Sequence, residues 1–184
     1  MMTMPNKQVP LRFSVAAPHD APALIALINA AYREAYGRDG WTPYAQFRGD
    51  CLIDSRDIHT LMDDKNGLLL RCSKQSHLLG CSALHYSARQ VTLSLLAVDP
   101  THQKRGIGRQ LVAHAEHVAK RMWEIERIVL DVLPHCHKLI AFYARCGFSL
   151  TGKTRLYHVN SDLWRPAIQT LTLITLEKRL VTVA

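Results

Sequence analysis

The chain has 184 residues, 48% of them apolar and 21% charged, a length that suits one domain with its own core and a balance that excludes disordered and fibrous classes. Its formal net charge of +8 is spread without a basic run of five or more. With no zinc-finger or homeodomain pattern either, nucleic-acid binding is a minority reading, and anionic ligands or a basic solvated surface account for the charge more simply.

No apolar run approaches the ~18–20 residues that cross a bilayer, so no membrane partner is expected. The N-terminus lacks an apolar secretory segment. The five cysteines, at positions 51, 72, 81, 136 and 146, are odd in number and irregularly spaced. They read as reduced thiols of a cytoplasmic protein.

In chain order, residues 1–10 read as a loose tail and 11–17 as a first strand. Asp20 stands where an N-cap belongs, Pro22 falls in the first turn, and Leu24, Leu27, Ile28 and Ala31 form an inward stripe. These predict a first helix ending near residues 36–37. Gly40-Trp41-Thr42-Pro43-Tyr44 breaks the periodicity before a weaker helix over 57–64. Strands follow over 68–72, 77–85 and 89–98, at the spacing of an antiparallel meander.

Residues 93–98 form an apolar run of strand length that Asp99-Pro100 ends, since proline offers no ladder hydrogen bond. Beyond a short basic glycine loop, Leu111, Ala115, Val118 and Met122 recur at helical spacing, so a helix begins near Gly106 or Gly108 and runs to about residue 123. A buried strand over 127–133 ends at Pro134, a short helix covers 138–145 with Gly147 at its C′ position, and a last strong strand spans 169–178.

The loop points to a chemistry. A helix start exposes unpaired N–H groups and the positive end of the peptide dipoles, its glycines let an anion approach the main chain, and Lys104, Arg105 and Arg109 add charge. Phosphate or pyrophosphate binding is favoured there. The loop is neither a Walker loop nor a dinucleotide fingerprint, because no Gly-Lys-Ser/Thr closes it and no third glycine follows at the required spacing.

Strand, Asp-Pro stop, Gln103-Lys104-Arg105-Gly106-Ile107-Gly108 and amphipathic helix, in that order, resemble the acyl-CoA-binding motif of the GNAT superfamily of N-acetyltransferases. A second stretch, with Tyr143, Gly147 and Phe148 at the end of the last helix, is similar to that family's closing motif. The resemblance implies an α/β fold with a central mixed, mostly antiparallel twisted sheet of six to seven strands flanked by about four helices. It also implies acetyl-CoA as cosubstrate, with no metal, and direct attack by an amine on the thioester.

Carried over residue by residue, the resemblance assigns the acyl-CoA site to Gln103, Lys104, Arg105, Gly106, Ile107, Gly108 and Arg109, together with the main chain of Leu96, Ala97 and Val98. In that family the last strand of the meander splays from its neighbour and pairs with the pantetheine arm. Tyr143 is implied as the hydroxyl that assists thiolate departure. Some relatives carry a glutamate base on this strand, but residues 89–95 hold no carboxylate. Ordered water, His85 or a residue of the Trp41 loop is left to accept the ammonium proton.

The acceptor is expected to be a small-molecule or peptide amine, with Trp41, His85 and Tyr157 as candidate contacts and His158, Trp164 and Arg165 in the segment that closes the pocket in relatives. A homodimer is common among similar proteins. His114 with His117, three apart on one helix flank, has no matching ligand pair and reads as a surface feature. His135 and His137 are placed near the cofactor channel by the resemblance. Cys136 and Cys146 read as buried or half-buried thiols rather than nucleophiles. The missing strand carboxylate motivates one rival, an acyl-CoA-binding sensor or assembly module without turnover.

Overall fold

The computed structural model describes residues 10–37, 47–48, 53–158, 165–166 and 170–180. Its elements run β1 (Arg12–Val15), α1 (Ala21–Gly37), β2 (Phe47–Arg48), α2 (Ser55–Asp63), β3 (Gly67–Lys74), β4 (His77–Ser87), β5 (Gln90–Val98), α3 (Ile107–Met122), β6 (Arg127–Val132), α4 (His137–Arg145), β7 (Ser149–His158), β8 (Arg165–Pro166) and β9 (Thr170–Arg179).

Among the described residues seven strands form one sheet in the order β1-β3-β4-β5-β6-β9-β7, and β2 pairs with β8 separately. The β5–β6 pair is parallel, and the other pairs in the large sheet are antiparallel. This is the mixed, mostly antiparallel α/β fold the sequence predicts. No helix among the described residues is long and apolar enough to cross a membrane.

Period-two alternation sends the strand side chains to two cores. On one face Leu84, Val91, Leu93, Ile128, Leu130, Val132 and Leu176 pack with Val112, Ala115 and Ala119 of α3 and with Tyr143 of α4. On the other, Leu69, Cys81, Ala83 and Ala97 pack with Leu24, Leu27, Ile28 and Ala31 of α1 and Ile58 of α2. The predicted α1 stripe is thus the buried one.

Helix starts differ in detail from the sequence expectation. Asp20 stands directly before α1, where the sequence places its N-cap, and also ends a 3-10 turn, Pro18–Asp20. Its carboxylate reaches back to accept the Ala17 N–H at 2.9 Å and pairs with the Arg71 guanidinium on β3. A local cap thereby becomes a tie between helix and sheet. The second helix begins earlier than predicted because Asp54 and Asp57 form a reciprocal capping box, at 2.9 and 3.0 Å. The first strand is shorter than predicted because the Pro18 turn follows closely.

One contact fixes how closely α3 lies on the sheet. A Cβ on Gly80 of β4 would stand 2.7 Å from Leu111 Cδ1 and 2.9 Å from the Ala97 carbonyl oxygen. Only a glycine admits the helix at this distance. Gly80→Ala is expected to cost about 1–3 kcal/mol by overpacking, read as a lowered urea midpoint with an unchanged slope.

Candidate functional site

The site begins with a defect in β5. Cys81 pairs with Ala97 and Ala83 with Ser94, so Leu95 and Leu96 stand opposite the single residue Ser82. Leu95 takes φ +48°, left-handed for a side-chain-bearing residue. This is a β-bulge, which bends the strand. The Cys81 thiol donates to the Leu95 carbonyl at 3.7 Å. Burial pushes Cys81 up to about 12, so the S–H needed for that bond is present at every physiological pH.

The bend has a direct consequence for the next strand. Parallel pairing of β5 with β6 covers Gln90–Arg127, Val91–Ile128 and Thr92–Val129 and then stops. Past that point the strands part, and a cavity of about 630 Å³ opens between them, walled by residues 92–98 of β5 and 130–133 at the end of β6.

At the far end of β5 the chain turns through Asp99, whose carboxylate accepts the Thr101 N–H at 2.8 Å, and a 3-10 turn, Pro100–His102. The Gln103 side-chain amide donates to the Val98 carbonyl at 3.3 Å, tying the loop to the strand. Lys104 and Gly106 both take positive φ, +61° and +80°. Gly106 is the N-cap of α3, which has no side-chain cap and no acidic residue in its first turn.

The helix's first N–H groups, which lack carbonyl partners within the helix, therefore meet no counter-charge from the helix's own first turn. A Cβ on Gly106 would meet nothing within 4 Å. The combination of uncapped amides, open space and neighbouring Lys104 and Arg109 fits a phosphate-bearing ligand.

Of the residues predicted for an acyl-CoA site, Leu96, Ala97, Val98, Gln103, Lys104, Gly106, Ile107, Gly108 and Arg109 line the cavity. Arg105 is exposed and does not line it. Tyr143, from α4, forms part of the same wall. It is buried, with its ring edge-on to Phe142 and Phe148 at centroid distances of 5.1 and 5.7 Å. Its position is fixed by packing, as a group that meets a bound ligand requires.

The acceptor candidates fare differently. His85 is exposed, does not line the cavity, and places Nε2 3.3 Å from the Asp64 carboxylate at the end of α2. Trp41 and Trp164 lie outside the described residues, as do the side chains of Tyr157, His158 and Arg165. His135 and His137 are exposed, while Cys136 between them is buried against the cavity. The His114 ring stacks on Phe13 at 4.9 Å, and burial, with His117 nearby, lowers its pKa.

Three residues that the sequence reading missed stand on the wall. Asp131 of β6 and Arg155 of β7 both line the cavity, with Arg155 Nε and Nη2 2.8 and 2.7 Å from Asp131 Oδ2. Thr175 of β9 donates its hydroxyl to Asp131 Oδ1 at 2.7 Å. Arg145, at the end of α4, is the third lining residue. A signal for Asp131 existed, as the carboxylate interrupting the apolar strand Arg127–Val132.

The profile of the acetyltransferase (GNAT) family matches residues 22–148, from the first turns of α1 to the end of the α4 motif. This defines the class as acetyl transfer, and the chain belongs to the GNAT acetyltransferase family. A search of curated sequences finds no match.

Among solved structures, the PaiA N-acetyltransferase of Thermoplasma acidophilum in complex with coenzyme A superposes with a TM-score of 0.69 at 16% identity, covering 93% of this chain and 99% of its own. The ribosomal-protein-S18-alanine N-acetyltransferase of Escherichia coli gives 0.67 at 17% identity, over 95% and 97%. A Bacillus subtilis acetyltransferase in complex with CoA gives 0.62 at 21% identity, over 94% and 100%. At these identities the likeness is one of fold.

The thiols on the wall are built to stay protonated. Burial pushes Cys136 up to about 11, and it raises Cys146 as well, against the pull of Arg109, Lys178 and Arg145. At neutral pH the Cys136 thiolate is therefore roughly a hundredfold scarcer than in an ordinary thiol. Timed maleimide labelling with peptide mapping is expected to show Cys136 reacting far more slowly than a free thiol at pH 7, the rate climbing as pH approaches 11.

Proposed function

We propose that the protein is an acetyl-CoA-dependent N-acetyltransferase that moves the acetyl group to an amine by direct attack. The observation that carries this reading is the continuity of one cavity from the uncapped α3 N-terminus, through the β5–β6 gap, to the Tyr143 wall. Amides 106–109 with Lys104 and Arg109 would hold the diphosphate. The edge of β5 at residues 96–98, turned away from β4 and toward the gap, would hydrogen-bond the pantetheine arm as an added strand does.

In the transfer, the amine nitrogen, as the free base, forms its bond to the acetyl carbon as the carbon–sulfur bond breaks, Tyr143 gives a proton to the departing sulfur, and the proton shed by the nitrogen returns through solvent to the tyrosinate. Holding both reactants in the gap supplies much of the acceleration by proximity. The raised thiols of Cys136 and Cys146 make a covalent enzyme intermediate unnecessary and unfavourable.

Gly106→Asp places a carboxylate in the open space at the helix mouth, at a position where nothing crowds the new side chain and where aspartate tolerates left-handed backbone. Calorimetry with acetyl-CoA is expected to show affinity falling on the order of tenfold to a hundredfold, through repulsion of the phosphates. Undiminished affinity overturns the site.

Tyr143→Phe is expected to lower the rate of thiol release about tenfold or more while acetyl-CoA affinity holds. An unchanged rate reduces Tyr143 to packing. If acetyl-CoA binds but no amine in a broad panel releases thiol, the chain is a binding module of the same fold.

A further inference from the structure

The cavity runs through the sheet, and its two ends differ in chemistry. Lys104, Arg109, Phe142, Tyr143 and Arg145 come from α3, α4 and the loop before α3. On the opposite face, alternation along the strands sets Thr92, Ser94, Asp131, Thr175, Leu173 and Arg155, because their neighbours Val91, Leu93, Leu130, Val132, Ile174 and Leu176 pack toward α3 and α4. Ala31 and Tyr32 of α1 close this second end.

If the donor's phosphates occupy the helix mouth, the acceptor enters from this opposite face. Among the described lining residues Asp131 is the only carboxylate, against the cations Lys104, Arg109, Arg145 and Arg155. Arg155 spends Nε and Nη2 on one oxygen of Asp131, while Thr175 takes the other. Oδ1 keeps one further lone pair, and the guanidinium is more than half exposed.

An ion pair of this kind is a poor host for a bare cation. An amine drawn to Asp131 is repelled by the guanidinium beside it, and a polyamine meets further positive charge deeper in the cavity. A zwitterion has no such conflict, since its ammonium lies on the carboxylate and its carboxylate on the guanidinium, leaving every charge matched in a partly desolvated site.

Resting on the acetyltransferase reading above, we infer that the acceptor is an amine bearing a nearby carboxylate, of the free α-amino acid class, with Asp131 binding the ammonium and Arg155 the carboxylate. Thr175 is a positioning residue, holding Asp131 in line through Oδ1.

The test is thiol release from acetyl-CoA with a panel of free amino acids, each beside its carboxamide and its decarboxylated amine. The expected result is a kcat/KM for the favoured amino acid at least about tenfold above both partners, the worth of a charge-assisted hydrogen bond. In Arg155→Gln that ratio is expected to fall toward one, chiefly through KM. The ratio is taken within each variant, so loss of folded protein does not distort it.

Amides or amines turned over as well as the acids, or a ratio that survives Arg155→Gln, overturn the inference while acetyl transfer stands. Thiol release with no member of any set, despite acetyl-CoA binding, overturns the transferase reading and this inference with it.

Discussion

The site depends on a hydrogen-bond ladder that is broken on purpose. Two strands in register, β5 and β6, share three residue pairs and then separate, because a bulge at Leu95 turns β5 aside. The cost is visible locally. Leu95 sits in left-handed backbone, and Ser82, the lone residue facing the bulge, buries a hydroxyl with no hydrogen-bond partner among the described residues. Strain of this sort persists only where the surroundings over-determine it. Here the Cys81 thiol on the Leu95 carbonyl and the close seat of α3 on Gly80 hold the distortion in place.

A second element gives one end of the gap a positive polarity. The α3 N-terminus carries neither a side-chain cap nor an acidic residue in its first turn, although both are the commonest ways to stabilise a helix start. Leaving them out keeps the amides available to an outside anion. The contrast with α2 is instructive, because there Asp54 and Asp57 close the helix on itself. Two helices of one chain thus solve the same end problem in opposite ways, and only the one facing the cavity stays open.

Much of this was legible in the chain itself. The β5–loop–α3 unit is written locally, as an apolar run, an Asp-Pro stop, a glycine loop and an amphipathic repeat, and the structure places it as read. The α1 stripe and the α4 ending at Gly147 are equally local. The bulge was not legible, since Leu95 lies within a mostly apolar run with no glycine to announce positive φ. Nor was the Asp131–Arg155 pair, which joins β6 to β7 across β9 between residues 24 apart in sequence. His85 looked available because its partner Asp64 comes from the end of a different element. Contacts made by topology leave no mark on spacing.

An interrupted sheet is also an unfinished one. The parted edges of β5 and β6 have no strand pairing beyond Thr92–Val129 among the described residues, so a molecule laid along them completes the ladder of the native state and has no counterpart to grip in the unfolded one. By mass action, such a ligand adds RT ln(1 + [L]/Kd) to the folding free energy. If acetyl-CoA fills the gap as proposed, the persistence of the fold is linked to its supply.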